Sequence, residues 1–417
     1  MAIVKPFRGI RPAAAVASKV AALPYDVYNR KEACEEVKKN PLSFLNIDRA
    51  ETQFPDEVDT YDLQVYEKAR ELLEARVKDG TFIQDLMECY YVYELTMDGR
   101  SQTGIVGCSA IDDYLSSVIK KHENTREEKE LDRIRHVDIT DAHTGPIFLA
   151  YRATMELDRL VSTAVKADPV YDFVSEDGIG HRVWKIEDLQ MVQAVAEAFE
   201  RVPATYIADG HHRAASAVKV GLKRRRENPD YTGEEPYNFF LSVLFPDDQL
   251  MILPYNRVVK DLNGFTPEEF LKKAEEHFTV LKVGEQGISP YSPEKKGTFG
   301  MLVDGKWYKL TAKEETLSDD PVKGLDVWIL EEYLLRPVLG IKDPRTDKRI
   351  DFVGGIRGLG ELEKRVSKDM TAAFSMYPTS IGELLAVADA GLLMPPKSTW
   401  FEPKLRSGLF IHKLSES

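Results

Sequence analysis

The chain has 417 residues, 43% of them hydrophobic and 30% charged, enough to bury a full core and to form two domains. Its 56 Lys and Arg against 69 Asp and Glu leave a net charge of −13, which argues against a large nucleic-acid surface. No apolar run approaches the roughly 20 residues of a membrane span, and the N-terminus lacks the apolar core of a signal peptide, so a soluble cytoplasmic protein is expected.

Taken in chain order, the opening with Pro6, Gly9, Pro12 and Pro24 cannot be one helix, so residues 2–27 are expected as extended pieces and turns. Asn29 reads as the cap of a helix reaching Lys39, and a longer helical pattern runs from Asp62 to Lys78. Two strands, residues 89–97 and 102–111, flank Asp98-Gly99, a strong hairpin turn signal. Cys34, Cys89 and Cys108 are scattered and odd in number, so reduced thiols are expected rather than disulfides or a cysteine zinc site. Residues 120–135 are charged and helix-forming, and 145–151 suit a buried strand.

A short strand at 204–207 then gives way at Asp209-Gly210 to a helical pattern through Leu222, with Lys223 to Arg226 read as its solvated end. A loop over 224–236 precedes a strand at 238–245. The C-terminal third carries helices near 267–276 and 327–335, strands at 298–303 and 307–310 joined by Asp304-Gly305, and a closing strand, helix and strand at 372–376, 380–390 and 408–413. We place the domain boundary near 255, giving residues 1–255 and 256–417, with the closing segment packing back toward the site.

The turn Asp209-Gly210-His211-His212-Arg213 is the main chemical candidate. A helix start presents unpaired N–H groups and the positive end of its dipole, which favour an anion, and glycine lets that anion approach the backbone. Asp209 adds a carboxylate for a proton or a magnesium ion. The plain alternative is a polar helix start, with Asp209 capping and the histidines bonded to carbonyls. Neighbouring His211 and His212 point to different sides, so phosphate donation fits them better than joint metal ligation.

A second cluster, His122-Glu123-Asn124-Thr125, could position and deprotonate a hydroxyl, although Thr125 with Glu128 also reads as a helix capping box. A third, Lys397-Ser398-Thr399 after Pro395-Pro396, offers a cation and two hydroxyls but lacks the glycines of a true phosphate loop. Tyr25-Asp26 is a weaker fourth. His136, Asp138, Asp141 and His143 match no zinc spacing.

These landmarks, with Pro24 to Val27, Asn40 to Phe44, His122 to Thr125, Ile207 to Arg213, Ile252 to Pro254, Met394 to Lys404 and Ser407 to Leu409, resemble the family called domain of unknown function 1015. The Asp-Gly-His-His-Arg segment also resembles that of free-serine kinases built on the ParB and sulfiredoxin-type fold. This implies an α+β fold, with a ParB/sulfiredoxin-like mixed core, an additional N-terminal segment and a C-terminal α+β domain.

Carried over, the resemblance puts Asp209 on a hydroxyl or magnesium, and Gly210, His211, His212 and Arg213 on nucleotide phosphate. The early catalytic glutamate of those kinases has no obvious counterpart, and Glu123 stands in for it. Lys397, Ser398 and Thr399 are assigned to phosphate, and Tyr25, Asp26, His122, Asn124 and Thr125 to substrate. The leading expectation is a small-molecule kinase phosphorylating free serine or a similar hydroxyl compound from ADP or ATP with Mg2+. A ParB-like nucleotide-binding switch and a metal-dependent phosphoesterase are the alternatives, with no nucleic-acid or membrane partner expected.

Overall fold

The computed structural model describes residues 1–415. The chain divides into two units, one of Met1–Leu250 with the chain from Pro403 onward, the other of Met251–Glu402. Both mix helices with mainly antiparallel sheets, the expected α+β class.

In the first unit the sheet is organised on one hairpin. Asp98 and Gly99 have φ of 51° and 78°, the geometry of a tight two-residue turn, and join Tyr90–Met97 to Arg100–Ala110. From one edge the order is Ile119–Lys120, Thr205–Asp209, Ile147–Tyr151, Phe239–Pro246, Arg100–Ala110, Tyr90–Met97, Gly180–Ile186 and Tyr171–Val174. Ile147–Tyr151 and Phe239–Pro246 pair in parallel at its centre. Every residue of both strands is buried, which is why their sequences read as continuous apolar runs. Helices Met155–Ala164 and Leu189–Glu200 pack Leu157, Val195, Ala198 and Phe199 into this core, and Ala214, Ala217 and Val218 of the helix His211–Glu227 join them.

A second core in the same unit gathers Phe44, Leu45, Ile47, Val65 and Leu73 around the helices Arg30–Lys39 and Leu63–Lys78. The helix starts follow the sequence. Asn29 and Glu32 form a reciprocal capping box, and the Asp62 side chain accepts from the Gln64 N–H. The closing segment is fixed to this core at Gly408, whose φ is +84° and whose added Cβ would stand 2.4 Å from the Phe44 ring. Only glycine fits there.

Three local expectations are corrected. The helix expected over 120–135 spans Glu127–Thr140, and Thr125 does not cap it: its hydroxyl donates to Glu130, while the Arg126 N–H goes to His212 Nε2 at 3.0 Å. Lys223 to Arg225 are not a solvated end. Asp138 binds Lys223 and Arg224, Asp141 binds Arg224, and Asp112 binds Arg225, because these acids face the last turns of the helix. The final strand shrinks to His412–Lys413, paired with Ala142–His143.

The second unit is an antiparallel sheet in the order Phe278–Glu285, Lys306–Ala312, Thr298–Val303, Ala372–Met376, Tyr255–Val259 and Ile350–Gly354. Asp304 and Gly305, both at positive φ, close its central hairpin. The helix Gly358–Lys368 buries Leu362 against Val258, Leu302, Trp307 and Ala373. The single helix expected over 327–335 is α-helical over Asp326–Leu330 and widens to a π turn over Glu331–Leu335.

Asp326 in this unit gives a pH prediction. Burial pushes its carboxyl up from 3.8 to about 7, against the opposing pull of the Gly297 N–H that it accepts at 2.9 Å. Between those values the folded chain holds a proton that the unfolded chain releases. The contribution is therefore full below pH 3.8 and is lost as pH rises through about 7. Unfolding midpoints measured across this window should fall with rising pH, and Asp326→Asn should flatten that slope.

Candidate functional site

The strand Thr205–Asp209 ends on Asp209, and Gly210 turns the chain into the helix His211–Glu227. Gly210 caps that helix at φ 94°, a conformation that side-chain-bearing residues rarely adopt. Its N–H donates to Asp209 Oδ1 at 2.8 Å. Lys404, carried back into this unit, donates to Asp209 Oδ2 at 3.0 Å. Burial by itself would raise the Asp209 carboxyl, but Lys404 and then Arg213 overcome it and hold the group well below its ordinary value. It is a fixed anion, and therefore a weak base.

His211 and His212 leave this turn in different directions. His211 is buried, and its Nε2 accepts the His122 N–H at a long 3.5 Å, while the two rings meet edge to face with centroids 4.5 Å apart. Burial and then the neighbouring His122 press the His211 ring well below its usual value, and burial also lowers His212. Both rings accept backbone N–H groups, the reverse of the histidine-to-carbonyl bonds of the plain helix-start alternative. His122 is buried and pushed down to about 4, chiefly by burial. Glu123 lies exposed beside it, as does Asn124.

Arg213 points the other way. Its Nη1 donates to the Pro146 carbonyl at 2.5 Å, and its guanidinium lies 3.1 Å from where a Cβ on Gly210 would stand. It also lines a narrow cleft of about 30 Å³ with Tyr25, Asp48, Arg133, His136 and Ser407. The first four of these partners, other than Ser407, also line an adjoining cavity of about 220 Å³ with Asp26 and Asp132. Tyr25 thus lines both the cavity and the cleft at Arg213, and Asp26 lines the cavity alone.

The walls of that cavity are strongly charged. The Arg133 guanidinium stacks 3.9 Å over the Tyr25 ring and pairs with Asp132 at 2.9 Å. Burial raises the Tyr25 hydroxyl to about 12, with Arg133 opposing, so it remains a neutral donor at neutral pH. Asp48 accepts from Thr144 at 2.8 Å, and Arg49 pairs with Glu51 and binds the Tyr25 and Tyr28 carbonyls. Nothing in the sequence singles out Arg133, Asp48, Asp132 or Arg49, and Lys404 stands there only as the end of the Met394 to Lys404 landmark.

The third cluster belongs to the second unit and has its own neighbours there. Lys397 is exposed at φ 59°, with its ammonium 5.6 Å from the Tyr255 ring centre and its carbonyl accepting from Arg257 at 3.0 Å. Ser398 donates to the Pro395 carbonyl at 2.6 Å, and its own carbonyl accepts from Thr379 at 2.9 Å. Thr399 is half-buried. Three of the four acids and histidines of 136–143 are engaged elsewhere, Asp138 and Asp141 with Arg and Lys side chains and His136 with the Ile47 carbonyl, while the buried His143 ring stacks on His412.

Among the described residues, no helix is long and apolar enough to cross a membrane. A family model described as "Protein of unknown function (DUF1015)" matches residues 4–328. No curated protein matches. Among solved structures, the chain is similar to a free serine kinase mutant in complex with ADP, at 15% identity and a TM-score of 0.36, covering 75% of this chain and 92% of that one. It is also similar to a free serine kinase in complex with AMP (14% identity, TM-score 0.36, 75% and 91% covered). SbnI with a C-terminal truncation, from Staphylococcus aureus, follows at 12% identity and a TM-score of 0.40, with 72% and 85% covered.

Proposed function

The chain belongs to the DUF1015 family, whose description names no reaction, and on the chemistry of its site we propose that it is a nucleotide-dependent phosphotransferase acting on free serine or a similar small hydroxyl compound. One observation carries this reading. A fixed anion, Asp209, and two cations, Lys404 and Arg213, surround the first turn of a helix entered through glycine. That turn offers N–H groups and dipole to the phosphates, and Arg213 offsets the charge of the transferring group. The donor, ADP or ATP, follows from the likeness of the Asp209 to Arg213 segment to that of free-serine kinases.

The acceptor's place is the cavity beneath Tyr25, which suits a small zwitterion. Arg133 and Arg49 stand there with Asp48 and Asp132, so both a carboxylate and an ammonium would find an opposite charge. The hydroxyl would point along the cleft toward Arg213. Asp209 orients it, and asks little of a base, because phosphoryl transfer proceeds through a loose transition state.

Magnesium fits this residue set as an ion delivered with the nucleotide. Asp209 Oδ1 keeps a lone pair after accepting from Gly210, and Mg2+ commonly takes one carboxylate alongside phosphate oxygens. When bound it would draw charge off the phosphates.

His122, Glu123 and His211 favour a second reading, metal-assisted hydrolysis of a phosphate ester. Incubation with Mg2+, L-serine and ADP or ATP separates the two. Phosphoserine above an Arg213→Ala control is the expected product; a parallel incubation with phosphate esters that releases inorganic phosphate, with no phosphoserine formed, supports hydrolysis, and the absence of phosphoserine above the control overturns the transfer assignment.

A further inference from the structure

His122 and Glu123 come from one side of the sheet edge, and His211 from a helix almost ninety residues further along the chain. A ligand-type atom from each lies within 4.8 Å of the others. Both histidines are buried and Glu123 is exposed, so the group has one side open to solvent.

The bonding of His122 is the informative detail. Its ring is hydrogen-bonded to the Ile207 backbone, whereas Nδ1 is buried without any hydrogen-bond partner. The bond to Ile207 therefore belongs to Nε2, whose N–H donates to the carbonyl. That arrangement fixes the tautomer and leaves Nδ1 with a bare lone pair, as in histidines that bind metals. A buried polar atom left unsatisfied costs about 1–3 kcal/mol, and here a cation would remove the cost. His211 Nε2 accepts the His122 N–H at a long 3.5 Å, a weak bond to give up.

We propose that His122, Glu123 and His211 form a binding site for one divalent transition-metal ion. Two imidazoles and a carboxylate suit Zn2+, Fe2+ or Mn2+, whereas Mg2+ and Ca2+ prefer oxygen alone. Ions of this class sit about 2.0–2.2 Å from such ligands, so the ligand atoms of one ion are at most about 4.4 Å apart. A small turn of the exposed Glu123 side chain supplies the remaining closure. Three protein ligands leave a coordination position open, the pattern of a catalytic rather than a structural site. That position lies beside the Asp209 turn, where a phosphate oxygen is the chemically suited fourth ligand. The metal site does not depend on the transfer reaction, because binding needs no acceptor.

The test uses the untagged full chain, stripped by a chelator and titrated with Co2+ alone. The wild type should take up one equivalent with the visible absorption of a histidine-ligated ion, and Zn2+ should displace it while excess Mg2+ does not. Glu123→Gln changes an exposed side chain, so the metal-free unfolding midpoint should hold while cobalt affinity falls about tenfold or more. His211→Asn should remove the absorption. No stoichiometric uptake by the wild type, or uptake unchanged in both variants, overturns the site.

Discussion

Arg213→Ala is expected to lower phosphotransfer by about 10³–10⁵-fold, the range an arginine supplies when it stabilises a transferring phosphoryl group. The residue stands where two parts of the site meet. Its charge acts on Asp209 at the turn and on the Tyr25 hydroxyl at the cavity. Arg213→Lys keeps the charge but loses the planar fork, so it should recover only part of the rate. In the fold, Arg213 gives one hydrogen bond to the Pro146 carbonyl and is half-buried, so unfolding midpoints of the variants should stay near wild type. Steady-state kinetics of the three proteins with ADP, beside their unfolding curves, check both statements. Equal rates in wild type and Arg213→Ala would remove the arginine from the reaction.

Asp209→Asn should cost about 10²–10³-fold in rate, the scale for removing one electrostatic group aimed at the reacting atoms. The argument is one of charge. Asparagine retains the shape and an acceptor for the Gly210 N–H, but leaves Lys404 without its anion at 3.0 Å. Because the Asp209 carboxyl is depressed below its ordinary 3.8, its contribution to stability is present above that pH and lost as pH falls through the folded value. It stays ionised across neutral pH. The loss in Asp209→Asn should accordingly be the same at every pH from mildly acidic to mildly alkaline, and a loss that varied strongly over this range would point to proton transfer by Asp209.

Much of the local structure was legible because it rests on short-range chemistry. Asn29, Asp62 and Ser380 cap helices as their residue types suggest, and Asp98-Gly99 and Asp304-Gly305 close hairpins because both turn positions need positive φ. The strand-to-helix turn at Asp209-Gly210 was legible for the same reason. Between Arg152 and Pro203 the helices Met155–Ala164 and Leu189–Glu200 also open on side-chain caps, Thr154 and Asp188, of the same short-range kind, yet both go unassigned from the sequence. The strand Tyr171–Val174 has only four residues, too few for its alternation of inward Tyr171 and Phe173 with exposed Asp172 and Val174 to stand out in the sequence.

What a sequence hides is which distant residues meet. Thr125 followed by Glu128 has the pattern of a capping box, but His212 takes the Arg126 N–H and the helix begins one step later. Lys404 reaches Asp209 across 195 residues, and nothing near either residue announces the pair. Sequence adjacency, which turns His211 and His212 to different sides, agrees with their divergent partners. It could not foresee that His211 would instead meet His122. Arg133 looked like one more charge in a solvated run until burial and the Tyr25 ring gave it a place.

The central claim is that nucleotide phosphates sit on the first turn of the helix His211–Glu227. A crystal structure of the protein with ADP tests it most directly. The phosphates should lie within hydrogen-bond reach of the backbone of Gly210 to Arg213, with the Arg213 guanidinium and Lys404 ammonium against them. Phosphates bound elsewhere on the chain, with this turn untouched, would contradict it.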